Sequence, residues 1–255
     1  MKTVALIQAR MSSSRLPGKV LQNIAGKPML LHVVHRAQQA QSIDSVAVIT
    51  TTYAADDAIE MLCKEKGIPC FRGSLDDVLD RYYQAAICFK ADIVVRLTAD
   101  CPLLDPAVIE QVVKTFHQNS FDYVANVVEV TYPDGLDTEV FSFEALERAW
   151  REARLRSERE HVTVYILKHP ELFRLGSVKQ ADDLSSLRWT VDTPQDLEFV
   201  RAIYNFIKGE EFGMKKIVKL LKEHPELSEL NAGQQRNEAY QKQLQKEMEA
   251  QTNSR

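Results

Sequence analysis

Thr3-Val4-Ala5-Leu6-Ile7 runs through Gln8 into Ala9-Arg10-Met11-Ser12-Ser13-Ser14-Arg15-Leu16-Pro17-Gly18-Lys19-Val20-Leu21. The first five residues are apolar and β-prone, and far too few to span a membrane. Then the chemistry reverses. Three cations, three hydroxyls, one Pro and one Gly fall between Arg10 and Lys19. Such a stretch is not core. Ser and Gly amides at a turn form an anion-holding concavity, and Arg and Lys add charge and donors. A helix is expected from about Pro28. A buried strand feeding a basic loop and then a helix is the layout of a phosphate site in an α/β domain. The spacing matches neither the Walker A pattern nor GxGxxG. The competing reading is a solvated basic loop.

Outward from that loop, strands and helices alternate. Pro28 to about Ala40 is amphipathic, with Pro28 suited to a first helical turn. Val46–Thr52 reads as a second strand. Asp56 is placed to cap a helix over 57–66 that Gly67 ends. Ile68–Phe71 is a third strand, 75–89 a helix, Ile93–Leu97 a fourth strand and 106–118 a helix. Repeated βα units argue for a mostly parallel sheet with helices on both faces. The rhythm changes after Asn119. Strands are expected at 123–130, 136–143, 172–178 and 187–190. Helices are expected at 145–153, at 158–168 with Ser157 and Glu160 as a capping box, at 194–206 and at 212–223. Residues 1–230 form one domain on this reading. Residues 231–255 are polar, and an exposed helix or a disordered tail is expected there.

The chain has 255 residues, 45% apolar, with a formal net charge of −4. One large α/β domain fits that length. The acidic balance argues against a nucleic-acid backbone as main partner, and the focused basic loop suits a small anion. Cys63, Cys70, Cys88 and Cys101 show no CxxC pairing. With no signal peptide before the first strand and no long apolar run, a cytoplasmic protein without membrane attachment is expected.

Chemistry concentrates in five places. Arg10, Arg15 and Lys19 can converge on one polyphosphate, Arg15 as a bidentate fork and Lys19 as a mobile point charge. Arg36, on the following helix, reads as a surface charge. Asp100 follows the fourth strand, where open α/β sheets bind ligands. A carboxylate beside a polyphosphate loop suggests Mg²⁺, which takes one or two carboxylates plus phosphate oxygens; a plain turn residue is the alternative. Asp105, before Pro106, reads as a helix cap. Asp192 ends another short strand and is either a helix cap, in competition with Thr193, or the second metal carboxylate. Asp137 and Glu139 lie two apart in an expected strand and share a face. They suit substrate hydroxyls, metal, or a bare edge. Glu160 and His161 sit among charges at a helix start, as substrate contacts or surface groups.

The opening motif Gln8–Leu21 closely resembles that of the sugar-acid cytidylyltransferases, which make CMP-activated acylneuraminates and 3-deoxy-manno-octulosonate. Within that group it looks most like the SpsF-type spore coat polysaccharide biosynthesis proteins. Gly73-Ser74-Leu75-Asp76-Asp77-Val78-Leu79-Asp80-Arg81-Tyr82, Arg96-Leu97-Thr98-Ala99-Asp100-Cys101-Pro102-Leu103, Ser157-Glu158-Arg159-Glu160-His161-Val162-Thr163 and Trp189-Thr190-Val191-Asp192-Thr193-Pro194 resemble the same branch.

The resemblance implies a Rossmann-like, GT-A-like nucleotidyltransferase fold. It implies that Ala9, Arg10, Ser12, Ser13, Arg15, Lys19, Asp80, Arg81 and Asp100 hold the nucleotide. Arg10, Arg15, Lys19 and Asp100 would be catalytic, and Asp100 and Asp192 would carry Mg²⁺. The region that would read the sugar departs from the family pattern, so Asp137, Glu139, Glu160 and His161 stand as substrate-contact candidates on their own residue chemistry. The expected reaction joins CTP and a sugar, an acidic one on this resemblance, to give CMP-sugar and pyrophosphate. A GT-A glycosyltransferase using a nucleotide-sugar and a non-catalytic nucleotide-binding protein are the alternatives. Small nucleotide and sugar substrates are the partners implied, and homodimer formation is left open.

Overall fold

The computed structural model describes residues 1–209, 211–233 and 236. β1 (Thr3–Gln8) is buried on both faces and lies third in a seven-stranded sheet. A two-stranded hairpin follows, β2 (Asn23–Ile24) with β3 (Lys27–Pro28). Next come α1 (Met29–Gln38), β4 (Ser45–Thr51), α2 (Asp57–Lys66), β5 (Cys70–Gly73), α3 (Val78–Phe89), β6 (Ile93–Thr98) and α4 (Pro106–Gln118). The second half holds β7 (Tyr123–Ala125), β8 (Glu139–Ser142), α5 (Phe143–Glu152), α6 (Arg156–Glu160), α7 (Val164–Lys168), β9 (Leu175–Ser177), α8 (Pro194–Ile207), α9 (Met214–Glu223) and α10 (Glu226–Glu229).

The sheet order is β5-β4-β1-β6-β8-β7-β9. The first four strands are mutually parallel, β8 runs antiparallel to both its neighbours, and β7 and β9 are parallel. Alternation along β1 sends Ala5 and Ile7 to one core, with α1, α2, α4, α8 and α9. Val4 and Leu6 point to the other, with α3, α5 and α7. A mostly parallel sheet covered on both faces is the expected Rossmann-like, GT-A-type arrangement. Among the described residues no helix is long and apolar enough to cross a membrane.

The differences from expectation have local causes. Pro28 is extended and pairs with Asn23, so it precedes α1 and is not its first turn. Asp56 makes no cap; it is buried, and its carboxylate accepts from the Met11 amide and the Thr51 hydroxyl. The helix expected over 158–168 breaks into α6 and α7 at Val162, whose φ of 54° is left-handed. Glu158, not Glu160, turns its carboxylate back onto the Arg154 and Leu155 amides. The strand from Tyr123 stops at Ala125, because Asn126 turns to bond Leu136 and Thr138. Residues 187–190 form no strand; Arg188 makes an isolated β-bridge with Asp134. Arg36 is no surface charge: it is 1% exposed, stacks on Phe212 at 4.0 Å, and donates to the carbonyls of Leu104 and Phe212. The expected tail lies largely outside the described residues. Of it, Asn231 is buried and donates to Arg188 O and Asp196, and Arg236 pairs with Asp137.

Candidate active site

The parallel strands β1 and β6 end side by side, with Gln8 opposite Thr98. A cleft of about 260 Å³ opens beyond them. Its walls include Ala9, Arg10, Ser13, Arg15, Lys19, Arg81, Asp100, Glu160, His161 and Asp192. The topology thus gathers into one cleft residues that stand far apart in sequence.

Gly18 makes the loop turn back, in a left-handed conformation with φ of 70°. Lys19 follows in a short 3-10 turn and is 8% exposed. Its Nζ donates to Asp100 Oδ2 at 2.7 Å, Asp192 Oδ1 at 2.8 Å and Val191 O at 2.8 Å. Burial works against the ammonium, but Asp100 and Asp192 outweigh it and raise the Lys19 pKa. Burial likewise works against ionised Asp100, yet Lys19 holds that carboxyl down at about 2. Lys19 and Asp100 are therefore both charged at neutral pH.

Asp192 is shared. Arg15 Nη2 lies 3.0 Å from its Oδ2, and Arg188 Nη2 donates to the same oxygen at 2.8 Å. Its own amide donates to Asp196. The cap of α8 is Thr193, whose hydroxyl accepts from the Asp196 amide, so Asp192 faces the cleft rather than the helix. Arg188 also donates to Asp134 and Asp196, tying three carboxylates to one buried guanidinium. Asp105 caps α4 through the Ala107 amide.

Several residues fall elsewhere than expected. Ser12 is exposed and does not line the cleft, whereas Ser14 does. The Ser13 hydroxyl accepts from the Leu16 amide and helps to close the loop. Asp80 does not line the cleft; it accepts from Trp150 Nε1 at 2.9 Å, on another part of the surface. Its neighbour Arg81 is 3% exposed and donates to Ser74 O, and burial together with Arg10 lowers its pKa. Asp137 precedes β8 and pairs with Arg236 at 2.5 Å, outside the lining of the cleft. Glu139 is buried at 4% exposure and already accepts from Arg96, Tyr123 and Thr163. A carboxylate so fully engaged holds Arg96 in place and does not meet the solvent side of the cleft.

Sequence reasoning missed Gln8, Arg96, Thr98 and Arg188. The one signal for Arg96 was a cation inside an otherwise apolar strand. Gln8 Oε1, Arg81 Nε and Arg96 Nε are buried without a hydrogen-bond partner among the described residues. All three residues line the cleft. Buried polar atoms left without partners are costly, and a polar ligand would satisfy them.

Among the described residues no group of three or more His, Cys, Asp or Glu could hold a metal ion alone. Mg²⁺ does not need such a group when phosphate oxygens and water complete its shell. Asp100 and Asp192 converge on a cation already, the Lys19 ammonium, so the pair suits shared positive charge.

The cytidylyltransferase family model matches residues 4–248. An uncharacterized protein of Methanocaldococcus jannaschii is 35% identical over 234 residues, spanning 91% of this chain and 95% of its own. The spore coat polysaccharide biosynthesis protein SpsF of Bacillus subtilis is 33% identical over 232 residues, spanning 87% of this chain and 94% of its own. Among solved structures, a cytidylyltransferase from Leptospira borgpetersenii gives a TM-score of 0.87 at 33% identity, covering 92% of this chain and 99% of that one. The archaeal and Bacillus proteins are almost equally similar, so the SpsF branch is not singled out. Matched by that model along nearly its whole length, and similar over nearly all of it to a solved cytidylyltransferase, this chain belongs to the cytidylyltransferase family of nucleotidyl-transferring enzymes.

Proposed function

We propose that the protein transfers the cytidylyl group of CTP to a sugar, an acidic one on the family resemblance, giving CMP-sugar and pyrophosphate. The observation that carries this reading is the Lys19 ammonium fixed between Asp100 and Asp192 beside the Arg15 guanidinium. A nucleoside triphosphate brings several charges to one place, and a leaving pyrophosphate gives each cation a task.

In the reaction a sugar hydroxyl oxygen bonds to the α-phosphorus, its proton passes to water, and the bond from that phosphorus to the bridging oxygen breaks. The bonding pair leaves with pyrophosphate. Asp100 and Asp192 raise the Lys19 pKa, which favours its ammonium form. It therefore stabilises charge and does not supply a proton. Arg15 and the Ser-rich loop would hold the leaving group in line. Arg81 and Arg96 would orient the ligand through nitrogen atoms that lack partners among the described residues. Glu160 and His161 stand on the wall where the acceptor would enter. Asp100 and Asp192 would hold Mg²⁺, which when bound supplies charge neutralisation on the phosphate oxygens. The proposed setting is polysaccharide biosynthesis in the cytoplasm, of the spore coat where the organism makes one.

The test is purified protein with Mg²⁺, each of the four nucleoside triphosphates, and a panel of sugars and sugar acids. Sugar-dependent pyrophosphate release with CTP, and a CMP-sugar by mass spectrometry, is the expected result. No pyrophosphate across the panel, with transfer from a preformed nucleotide-sugar, rejects it in favour of a glycosyltransferase.

A further inference from the structure

Asp56 is 1% exposed and has no ion pair among the described residues. Its carboxylate accepts from the Met11 amide at 2.7 Å and from the Thr51 hydroxyl. Thr51 in turn accepts from the Tyr53 amide at 3.1 Å. No cation ion-pairs with this buried carboxylate among the described residues, although Arg81 lies near enough to act on it electrostatically, so its place under a basic loop calls for a reason.

Met11 supplies one. Its carbonyl accepts from the amides of Ser13 at 3.0 Å and Gly18 at 2.9 Å. The backbone of one residue therefore pins both ends of the loop that carries Arg15, with Lys19 next along the chain. Asp56 fixes the amide side of that hub. On its other side, Asp56 reaches through Thr51 to the end of β4. Thr51 pairs with Gly73 of β5, and Arg72 donates to the carbonyls of Thr51 and Tyr53. Gly73 packs on Arg81 so closely that a Cβ there would lie 3.0 Å from Arg81 Cγ. The chain of contacts thus runs from the phosphate loop to the arginine wall of the cleft.

We propose that Asp56 is a positioning residue: it holds Met11, and through Met11 presets the loop Arg10–Lys19 for a polyphosphate. The loop then spends little conformational entropy when ligand arrives. The ligand part of this inference rests on the nucleotide reading above, and the loop part does not.

The loop contains three bonds that trypsin cuts, after Arg10, Arg15 and Lys19. Their cleavage reports local opening without any ligand. Asp56→Ala should speed cleavage at these bonds alone by ~5-fold or more, since protease attack follows the open population. It should weaken CTP binding by calorimetry ~10-fold, and raise KM for CTP more than it lowers kcat. Asp56→Asn should restore both within ~3-fold, because an amide oxygen still accepts from Met11 and its nitrogen donates to Thr51. Thr51→Val, with nearly the same shape, should shift both in the direction of Asp56→Ala and serves if that variant does not fold. Unchanged cleavage at the loop in a folded Asp56→Ala or Thr51→Val overturns the proposal. So does cleavage that rises equally over the whole chain. Faster loop cleavage with no CTP binding by the wild type upholds the positioning role and rejects the nucleotide reading.

Discussion

The Nζ of Lys19 lies 2.7 Å from Oδ2 of Asp100, and that pair sets the charge state of the cleft. Each partner moves the other's pKa toward the ionised form against the effect of burial. Lys19→Met should leave Asp100 and Asp192 facing one another without their cation. Calorimetric titration with CTP and CMP is the check. The variant should lose ~10-fold or more for CTP and distinctly less for CMP, as expected for a charge-assisted contact to the outer phosphates. Equal losses would place Lys19 away from those phosphates.

Asp100→Asn and Asp192→Asn should each cut Mg²⁺-dependent pyrophosphate release by ~100-fold or more, the order typical of removing a charge-stabilising group. Thermal melts should show both proteins folded, since each asparagine keeps the size of the side chain. Undiminished turnover by either variant would remove that residue from the metal site.

The pKa of Asp100 also sets an acid limit. Its folded value of about 2 lies below the ordinary aspartate value, so the folded state binds the proton less readily than the unfolded state. The sign follows: the stabilisation is fully present above about pH 4 and is lost as pH falls toward 2. A shift of this size corresponds to ~2 kcal/mol, of which ~1 kcal/mol is gone by pH 3. Urea denaturation of wild type and Asp100→Asn between pH 5 and pH 3 measures it. The gap between the two proteins should narrow by that amount on acidification, and a constant gap would contradict the assignment.

Much of the fold was legible because local and tertiary signals agreed. Apart from the unforeseen β2–β3 hairpin, strands and helices from Thr3 to Gln118 follow the expected order, and Gly67 and Pro106 mark helix ends where they should. The site was legible where the chemistry is local: Arg10, Ser13, Arg15 and Lys19 share one loop, and Asp100 follows one strand. It was not legible where partners come from far away. Glu139 sits 43 residues from Arg96 and is taken up by it, which no spacing within its own strand reveals. Asp137 is taken up by Arg236, 99 residues on. Asp56 looked like a cap because it precedes a helix, but the Met11 amide, 45 residues earlier, claims it. Asp80 and Arg81 are adjacent, and helical geometry alone sends one to Trp150 and the other to the cleft.

The segment that carries Asp192 depends on a glycine. Gly135 has φ of +111°, which side-chain-bearing residues rarely adopt. A Cβ there would lie 2.6 Å from Thr190 N and 2.7 Å from Trp189 C. The neighbouring Asp134 carbonyl accepts from the amides of Trp189 at 2.6 Å and Thr190 at 3.0 Å. Asp134 also accepts from Arg188, which holds Asp192. The turn at 134–135 therefore clamps residues 188–192 against the end of β6, where the Val191 amide donates to Asp100 O at 2.8 Å. Gly135→Ala adds backbone strain and a contact with no flexible side chain to yield. It should cost ~2–4 kcal/mol of stability, read as a lower urea midpoint. The displaced backbone is the one that carries Asp192. Turnover at a temperature where the variant is fully folded should then fall by ~10-fold or more, as a small misplacement of reacting groups predicts. Gly176→Ala is the control. A Cβ at Gly176 meets the Phe121 and Val124 side chains at 2.9 Å, in the sheet near β7 and away from the cleft. That variant should lose stability and keep its turnover when folded. Equal loss of turnover in both variants would show that general destabilisation, not the placement of Asp192, limits the enzyme.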